Sequence, residues 1–343
     1  MPATKKFRGF GAFNFAIAAS VAILISSIIF GGWQVILPLT VLAAVEVVFS
    51  FDAAVVNSQV LSTMRRVWRL AFLTVGILIA VFLVRAILPL ALVSASLDES
   101  ISHVWNLALD HPKAYAAELK TAYPLIAAFG GVFLLMVGLR FFGERRSVRW
   151  LNGIEAPLGE FNQPWWFSAA GAVAAVAAIY LLLAPGDTRV ALAGILGALA
   201  FFTVKLLGRL LLGRGSKHSH GSHRHGISQF LYLELLDASF SFDSVIAAFA
   251  ITTNIVLITA GLAIGAIFVR SMTVHLLREG TLREYRYLVH GAHYTILALA
   301  ILLLAGIRFH IPEAVAGVTG IAIILTAFHS SRRHNRLMEL AGG

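Results

Sequence analysis

Cysteine is absent from the 343-residue sequence, and charge is scarce. Without a thiol there is no disulfide framework, no zinc–thiolate site and no cysteine nucleophile. Any metal has to be held by oxygen or imidazole, which favours harder or borderline cations over Cu(I). Charged residues make up 13% of the chain against 59% hydrophobic, with a mean hydropathy of +0.84. A soluble domain of this length needs far more charge to cover its surface, so most of the chain belongs in lipid. Other absences narrow the chemistry. No Gly-x-x-x-x-Gly-Lys run exists, which argues against an ATP-driven pump. No His-Glu-x-x-His, Gly-x-Ser-x-Gly or Gly-x-Gly-Asp motif exists, which argues against an intramembrane hydrolase. The chain is therefore expected not to be an enzyme. Its basic N-terminus (Lys5, Lys6, Arg8) leads into an apolar run without a convincing cleavage site, which reads as a first span rather than a signal peptide.

A crossing helix needs about 20 apolar residues. Ten candidates can be drawn, over approximately 13–31, 35–61, 70–92, 122–142, 164–184, 189–212, 228–250, 254–276, 288–307 and 312–330. The formal charge is +10, but the basic residues lie in short clusters between these runs. Only Lys113, Lys120, Arg189 and Arg308 fall opposite the rest, while Arg85 and Arg270 lie within spans. Such a bias predicts both termini in the cytoplasm and an even number of crossings of the plasma (inner) membrane. It makes lipid, not nucleic acid, the partner. Residues 94–121, with Asp98, Glu99, Asp110 and Glu118, read as the largest external loop. Residues 143–163 read as a cytoplasmic linker inside a single membrane domain spanning 1–343. The oligomeric state is not legible.

Acidic residues occur where hydrocarbon is expected. Glu46-Val-Val-Phe-Ser-Phe-Asp52 recurs in altered form as Asp237-Ala-Ser-Phe-Ser-Phe-Asp243, each inside a long apolar stretch. An ionised carboxylate near a bilayer centre costs roughly 2.5–3.5 kcal/mol on insertion scales, so carboxylates kept there read as functional. Two further echoes keep the same order: residues 75–85 resemble 260–270, and Gly138-Leu-Arg-Phe141 resembles Gly306-Ile-Arg-Phe309. Span two pairs with span seven, so the copies point in opposite directions. The expected fold is all-α, about ten transmembrane helices in a five-plus-five inverted-topology repeat (13–184 and 189–330), with a site at the midplane.

Asp52 and Asp243 lie near the middle of their spans and should reach similar depth. Glu46 should lie nearer the exterior and Asp237 nearer the cytoplasm, giving a ladder of four carboxylates. Positions six apart on a helix differ by ~9 Å in rise, so one motif clamps an ion only if its Phe-Ser-Phe segment unwinds. Ser50 and Ser241 would then add oxygens. Asn57 offers a carbonyl oxygen that Ala248 lacks in the second copy. Arg85 is expected at the level of Glu46 and Arg270 at that of Asp237, as gates or as fixed ion pairs. Glu234 reads as an entrance charge. His290 and His293 share a helix face and can ligate a metal, relay protons or simply sit satisfied at the interface. The segment 213–227 reads as a flexible cytoplasmic loop in which His218, His220, His223 and His225 could collect a metal weakly.

The phrases Ser50-Phe-Asp52 with Ala-Val-Val-Asn57, Leu233-Glu-Leu-Leu-Asp-Ala-Ser-Phe-Ser-Phe-Asp243 and His290-Gly-Ala-His-Tyr294 resemble the TerC-like integral membrane family, in its longer, uncharacterised branch. The resemblance covers about residues 35–330. It implies tellurite resistance or manganese export, with Glu46, Asp52, Asn57, Asp237 and Asp243 on the motif positions. Ala53 departs from it, because Asn is expected after the first Asp. Oxygen ligation with optional imidazole suits Mn²⁺, with Mg²⁺, Ca²⁺ or Zn²⁺ as other possible substrates, and proton entry is a possible driving force. Competing expectations are a LysE-like exporter of an amino acid or organic cation, a tellurite-stress membrane scaffold without transport, and a hydrolase using Asp52 and Asp243 as an acid pair.

Overall fold

A chain in lipid must satisfy its backbone internally, and helices do so within one segment. The structure, a computed structural model, describes residues 10–143, 148–160, 166–212, 223–252, 254–278, 284–309 and 311–342, and every regular element among them is helical. The first part of the chain forms α1 (Phe10–Gly31), α2 (Ile36–Phe49), α3 (Phe51–Thr63) and α4 (Arg66–Leu78). A π-helical stretch, Ile79–Ile87, joins α4 to α5 (Leu88–Leu97), and α6 (Ile101–Asp110) and α7 (Pro112–Gly143) follow. Then come α8 (Asn152–Glu160), α9 (Trp166–Ala178, extended by a π turn, Ile179–Leu183), α10 (Thr188–Leu212) and α11 (His223–Ile251). The chain ends in α12 (Ile255–Arg278), α13 (Leu288–Gly306) and α14 (Glu313–Gly342).

The ten expected spans fall in helical segments, but the second, 35–61, is divided between α2 and α3. Among the described residues, eight helical stretches are long and apolar enough to cross a membrane, so the chain is a polytopic helical membrane protein. The stretches bearing the acidic motifs, α2–α3 and α11, are long enough at about 42–44 Å of rise. Within the first of them, Trp33–Val47 is a shorter apolar helix. Large apolar side chains such as Phe30 (90% exposed) and Leu37 (73%) coat the outside of the bundle, as a lipid-facing surface requires.

Two expectations about connections are corrected. The segment 94–121, expected as an external loop, is largely helical. Ser100 caps α6 by accepting the His103 N–H at 3.2 Å. Val104 and Ala108 then bury against Tyr115 and Leu119 of α7, which starts on Pro112. The His-rich loop is also shorter than expected, because α11 already begins at His223. Pro185-Gly-Asp187 does make a tight hairpin. Gly186 takes a left-handed φ of 76°, and Asp187 Oδ1 caps α10 by accepting the Arg189 and Val190 N–H groups at 2.9 and 3.2 Å.

Helix directions follow from which glycines meet which side chains. Gly261 and Gly265 of α12 lie against Leu42 and Glu46 of α2, so these helices run parallel. Gly226 of α11 meets Trp68 of α4 and Gly76 of α4 meets Glu234 of α11, so that pair is also parallel. Gly131 and Gly138 of α7 meet Leu304 and Leu297 of α13, an antiparallel pair. Small residues allow close approach where hydrocarbon surrounds the bundle and no hydrophobic force drives helices together. The closest approach to backbone is at Gly197 of α10, whose added β-carbon would collide with the Phe129 carbonyl oxygen. Gly197→Ala should lower the thermal unfolding midpoint in detergent by an amount corresponding to about 1–3 kcal/mol. Gly153→Ala, which has nothing within 4 Å of its added β-carbon, should not lower it.

Candidate functional site

Glu46 and Arg85 form the first of two buried charge clusters. Glu46 is fully buried on α2, and its Oε1 accepts from Arg85 Nη2 and from Ser50 Oγ, the latter at 3.1 Å. Its Oε2 has no hydrogen-bond partner. Arg85 lies in the π stretch and donates Nη1 to the carbonyl of Ala80, five residues earlier, at 3.3 Å. Gly265 of α12 makes room for the acid, because a β-carbon there would collide with the Glu46 stem.

The second cluster is centred on Arg270 of α12. Its Nη2 donates to Asp237 Oδ2 at 3.3 Å and lies 3.8 Å from Glu234 Oε1. The guanidinium carbon lies 3.5 Å from the centre of the Phe72 ring, a cation–π contact. Gly76 is to Glu234 what Gly265 is to Glu46: a β-carbon there would lie 2.5 Å from Glu234 Oε1. The entrance position expected for Glu234 is therefore corrected to a buried one, 7% exposed and beside Arg270. Phe72 and Gly76 were not singled out in the sequence. Gly265 and Arg270, five positions apart, separate the two clusters by about 7.5 Å along α12.

Unwinding of the Phe-Ser-Phe segments is confined to one residue. Ser50 (φ −101°, ψ 15°) separates α2 from α3, but its N–H still reaches Glu46 O at 3.0 Å and its carbonyl accepts from Ala54 N at 3.1 Å. The second motif lies in the uninterrupted α11. Neither motif alone can thus gather both of its carboxylates on one ion, and a joint site has to combine α3 with α11, which pack together. Asp52 is in the first turn of α3 and Asp243 in α11, while their side chains and that of Ser241 lie outside the described residues. Asn57 is fully buried, and neither Oδ1 nor Nδ2 has a hydrogen-bond partner. Leaving buried polar atoms unpaired costs about 1–3 kcal/mol each. Among the described residues, no group of three or more His, Asp or Glu side chains is close enough to hold a metal ion.

His290 and His293 are buried on α13 beside the linker. His290 Nε2 donates to Val148 O at 3.0 Å and lies 3.5 Å from Glu155 Oε2. His293 donates Nδ1 to Val289 O at 2.8 Å and stacks on Phe141, centroids 3.6 Å apart. Glu155 of α8, absent from the sequence reading, is 5% exposed and accepts from Trp150 N, Leu151 N and Tyr294 Oη at 3.1–3.3 Å. The His290-Gly-Ala-His-Tyr294 segment therefore clasps the linker helix. Its signal was the lone acid in an otherwise apolar turn of linker. His218 and His220 lie outside the described residues, as do the side chains of His223 and His225.

A family model described as "Protein of unknown function (DUF475)" matches residues 51–338, which takes in Asp52, Asn57, Arg85, Asp237, Asp243 and Arg270 but not Glu46. No curated protein and no solved structure matches the chain.

Removing one member of a buried ion pair strands the other, at about 3–5 kcal/mol. Arg85→Met should therefore sharply lower the unfolding midpoint in detergent, and Arg85→Met with Glu46→Met should recover most of it. A double variant as unstable as the single would show that Arg85 acts through other contacts.

Proposed function

The chain belongs to the DUF475 family, and from its site we propose that it is a membrane transporter exporting a divalent metal cation, Mn²⁺ foremost. In this reading the chain crosses the plasma (inner) membrane ten times, with both termini cytoplasmic and its halves related as inverted repeats. The parallel pairing of α2 with α12 and of α11 with α4 supports it: each acid-bearing helix lies along the following span of the opposite half. The observation that carries the transport reading is the pair of buried carboxylate–Arg clusters, Glu46–Arg85 and Asp237–Arg270, inside a bundle surrounded by lipid. Ionisable groups held at that cost mark an ion pathway. The cation passes through Asp52 and Asp243, helped by the Asn57 carbonyl, and the two arginines neutralise the flanking acids when it is elsewhere. His290, His293, Ser50 and Ser241 are the supporting ligands or proton relay of this reading, and proton entry is its coupling. The motif resemblance to the TerC-like family favours Mn²⁺ over Mg²⁺, Ca²⁺ and Zn²⁺, since oxygen-rich sites accept all four.

A LysE-like exporter of an organic cation is the second reading. Arg270 on the face of Phe72 against Asp237 is the arrangement in which an ammonium or guanidinium substrate would be held.

Flux into proteoliposomes separates the two. Mn²⁺ should cross selectively among Mn²⁺, Mg²⁺, Ca²⁺, Zn²⁺ and Co²⁺, and Asp52→Asn with Asp243→Asn should abolish it. Lysine or arginine flux without metal flux would install the second reading, and no flux of either kind would remove both. Exchanging the outer pair (Glu46→Arg with Arg85→Glu) should abolish Mn²⁺ flux in folded protein, and normal flux would reduce that pair to a structural one.

A further inference from the structure

The hairpin of α1 and α2 does not close on itself. Gly32 takes a left-handed φ of 75°, and a 3-10 turn, Trp33–Val35, starts the chain back along α2. From that turn α1 packs chiefly on α12 and touches α2 much less. The two arms therefore leave a cleft of about 460 Å³ between them, with α12 at its back. Its α2 wall is a stripe at helical spacing, from Leu39 through Ala43 and Ala44 to Val47, and Leu24 of α1 and Phe268 of α12 face that stripe. Small-molecule sites have roughly this size, about 300–1,000 Å³.

The wall chemistry selects the occupant. Among the described residues that line the cleft none is charged, Ser20 and Thr40 supply the hydroxyls, and the others are apolar. The unpaired Ser20 hydroxyl needs no ligand group: the Ala16 carbonyl stands four residues before it, the relation through which Ser26 bonds Ala22 at 2.8 Å. Water would find too few polar partners there. Left empty, the walls would lose dispersion contacts on one side. The cleft lies at the mid-length of α1 and α12, both long and apolar enough to span, so hydrocarbon is what reaches it from the side. A helix from a second copy, about 10–12 Å across with its side chains, is too thick to enter between two arms of one hairpin. A methylene chain is thin enough and asks for no polar partner.

We propose that the cleft between α1, α2 and α12 binds one acyl chain of a membrane phospholipid. No hydrophobic force drives protein against lipid, so the chain is held by the dispersion contacts of three walls. Its place beside α2 gives it a structural part. The stripe that lines the cleft lies about a quarter turn around α2 from Glu46, so the acyl chain braces the helix that carries this buried acid. With no charge in the walls, the site reads the chain and not the headgroup. It depends on the protein's place in lipid and not on what the protein carries across.

The test places the full chain in vesicles containing a phospholipid with a photoactivatable group midway along one acyl chain. On illumination, label should concentrate on the segments Ser20–Leu24 and Leu39–Val47, whether the headgroup is zwitterionic or anionic. Ala44→Phe, which fills the cleft, should remove most of that label, whereas Ala18→Phe, on an exposed position of α1 outside the cleft, should not. Native mass spectrometry of the protein purified in detergent should find one phospholipid retained by wild type and Ala18→Phe and none by Ala44→Phe. Label spread evenly over the lipid-facing residues of α1 and α2, or retention unchanged in Ala44→Phe, overturns the proposal. So does a wild type that retains detergent only. Self-association of wild type that Ala44→Phe abolishes would make a second copy the occupant and equally overturn it. The wild-type label map needs no variant, and Ala44→Leu replaces Ala44→Phe in the comparison if the larger side chain prevents folding.

Discussion

A carboxylate inside a hydrocarbon-bounded bundle has to be neutralised within reach of its own side chain, and the central helices are arranged around that requirement. Glu46 is met by an arginine from the span that follows its own, and so is Asp237. Bringing a guanidinium to a buried acid needs helices close enough for the side chains to meet without room for water. Gly265 and Gly76 supply that closeness where a β-carbon would strike Glu46 or Glu234. The acids thus determine both where the arginines lie and where the glycines have to be.

Each acid touches both halves of the chain. Glu46 is paired by Arg85 of its own half and covered by Gly265 of the other, while Glu234 is faced by Arg270 of its own half and covered by Gly76 of the other. Phe72 of the first half supports Arg270 of the second. The antiparallel contact of α7 with α13 also joins the two halves.

Much of this was legible in the sequence because buried charge stands out against 59% hydrophobic residues. Arg85 and Arg270 could be assigned to their levels from spacing alone. Glu234 could not be placed as readily, since its burial depends on Phe72 and Gly76, residues from a distant span whose types say nothing about charge. Continuity through Phe-Ser-Phe was also illegible, because a serine flanked by phenylalanines fits a helix as well as a break. The α6 helix escaped notice for its length: ten residues are too few to cross a membrane, and Tyr115 and Leu119 provide the surface it packs on. The docking of Glu155 under Tyr294 joins residues 139 apart, a distance that no local pattern spans.

The helix that carries Arg85 differs from the one that carries Arg270, and a single residue accounts for it. Pro89 follows Arg85 by four positions, whereas Val274 follows Arg270 by four. In a regular α-helix the proline ring would press on the carbonyl of Arg85 and leave it without a donor. The turn before it is widened instead, as the π stretch Ile79–Ile87, while α12 continues as a regular helix through Arg270. A π turn differs from an α turn by one residue of register. Arg85 thus stands on a π-helical stretch, and its counterpart Arg270 on an unbroken α-helix.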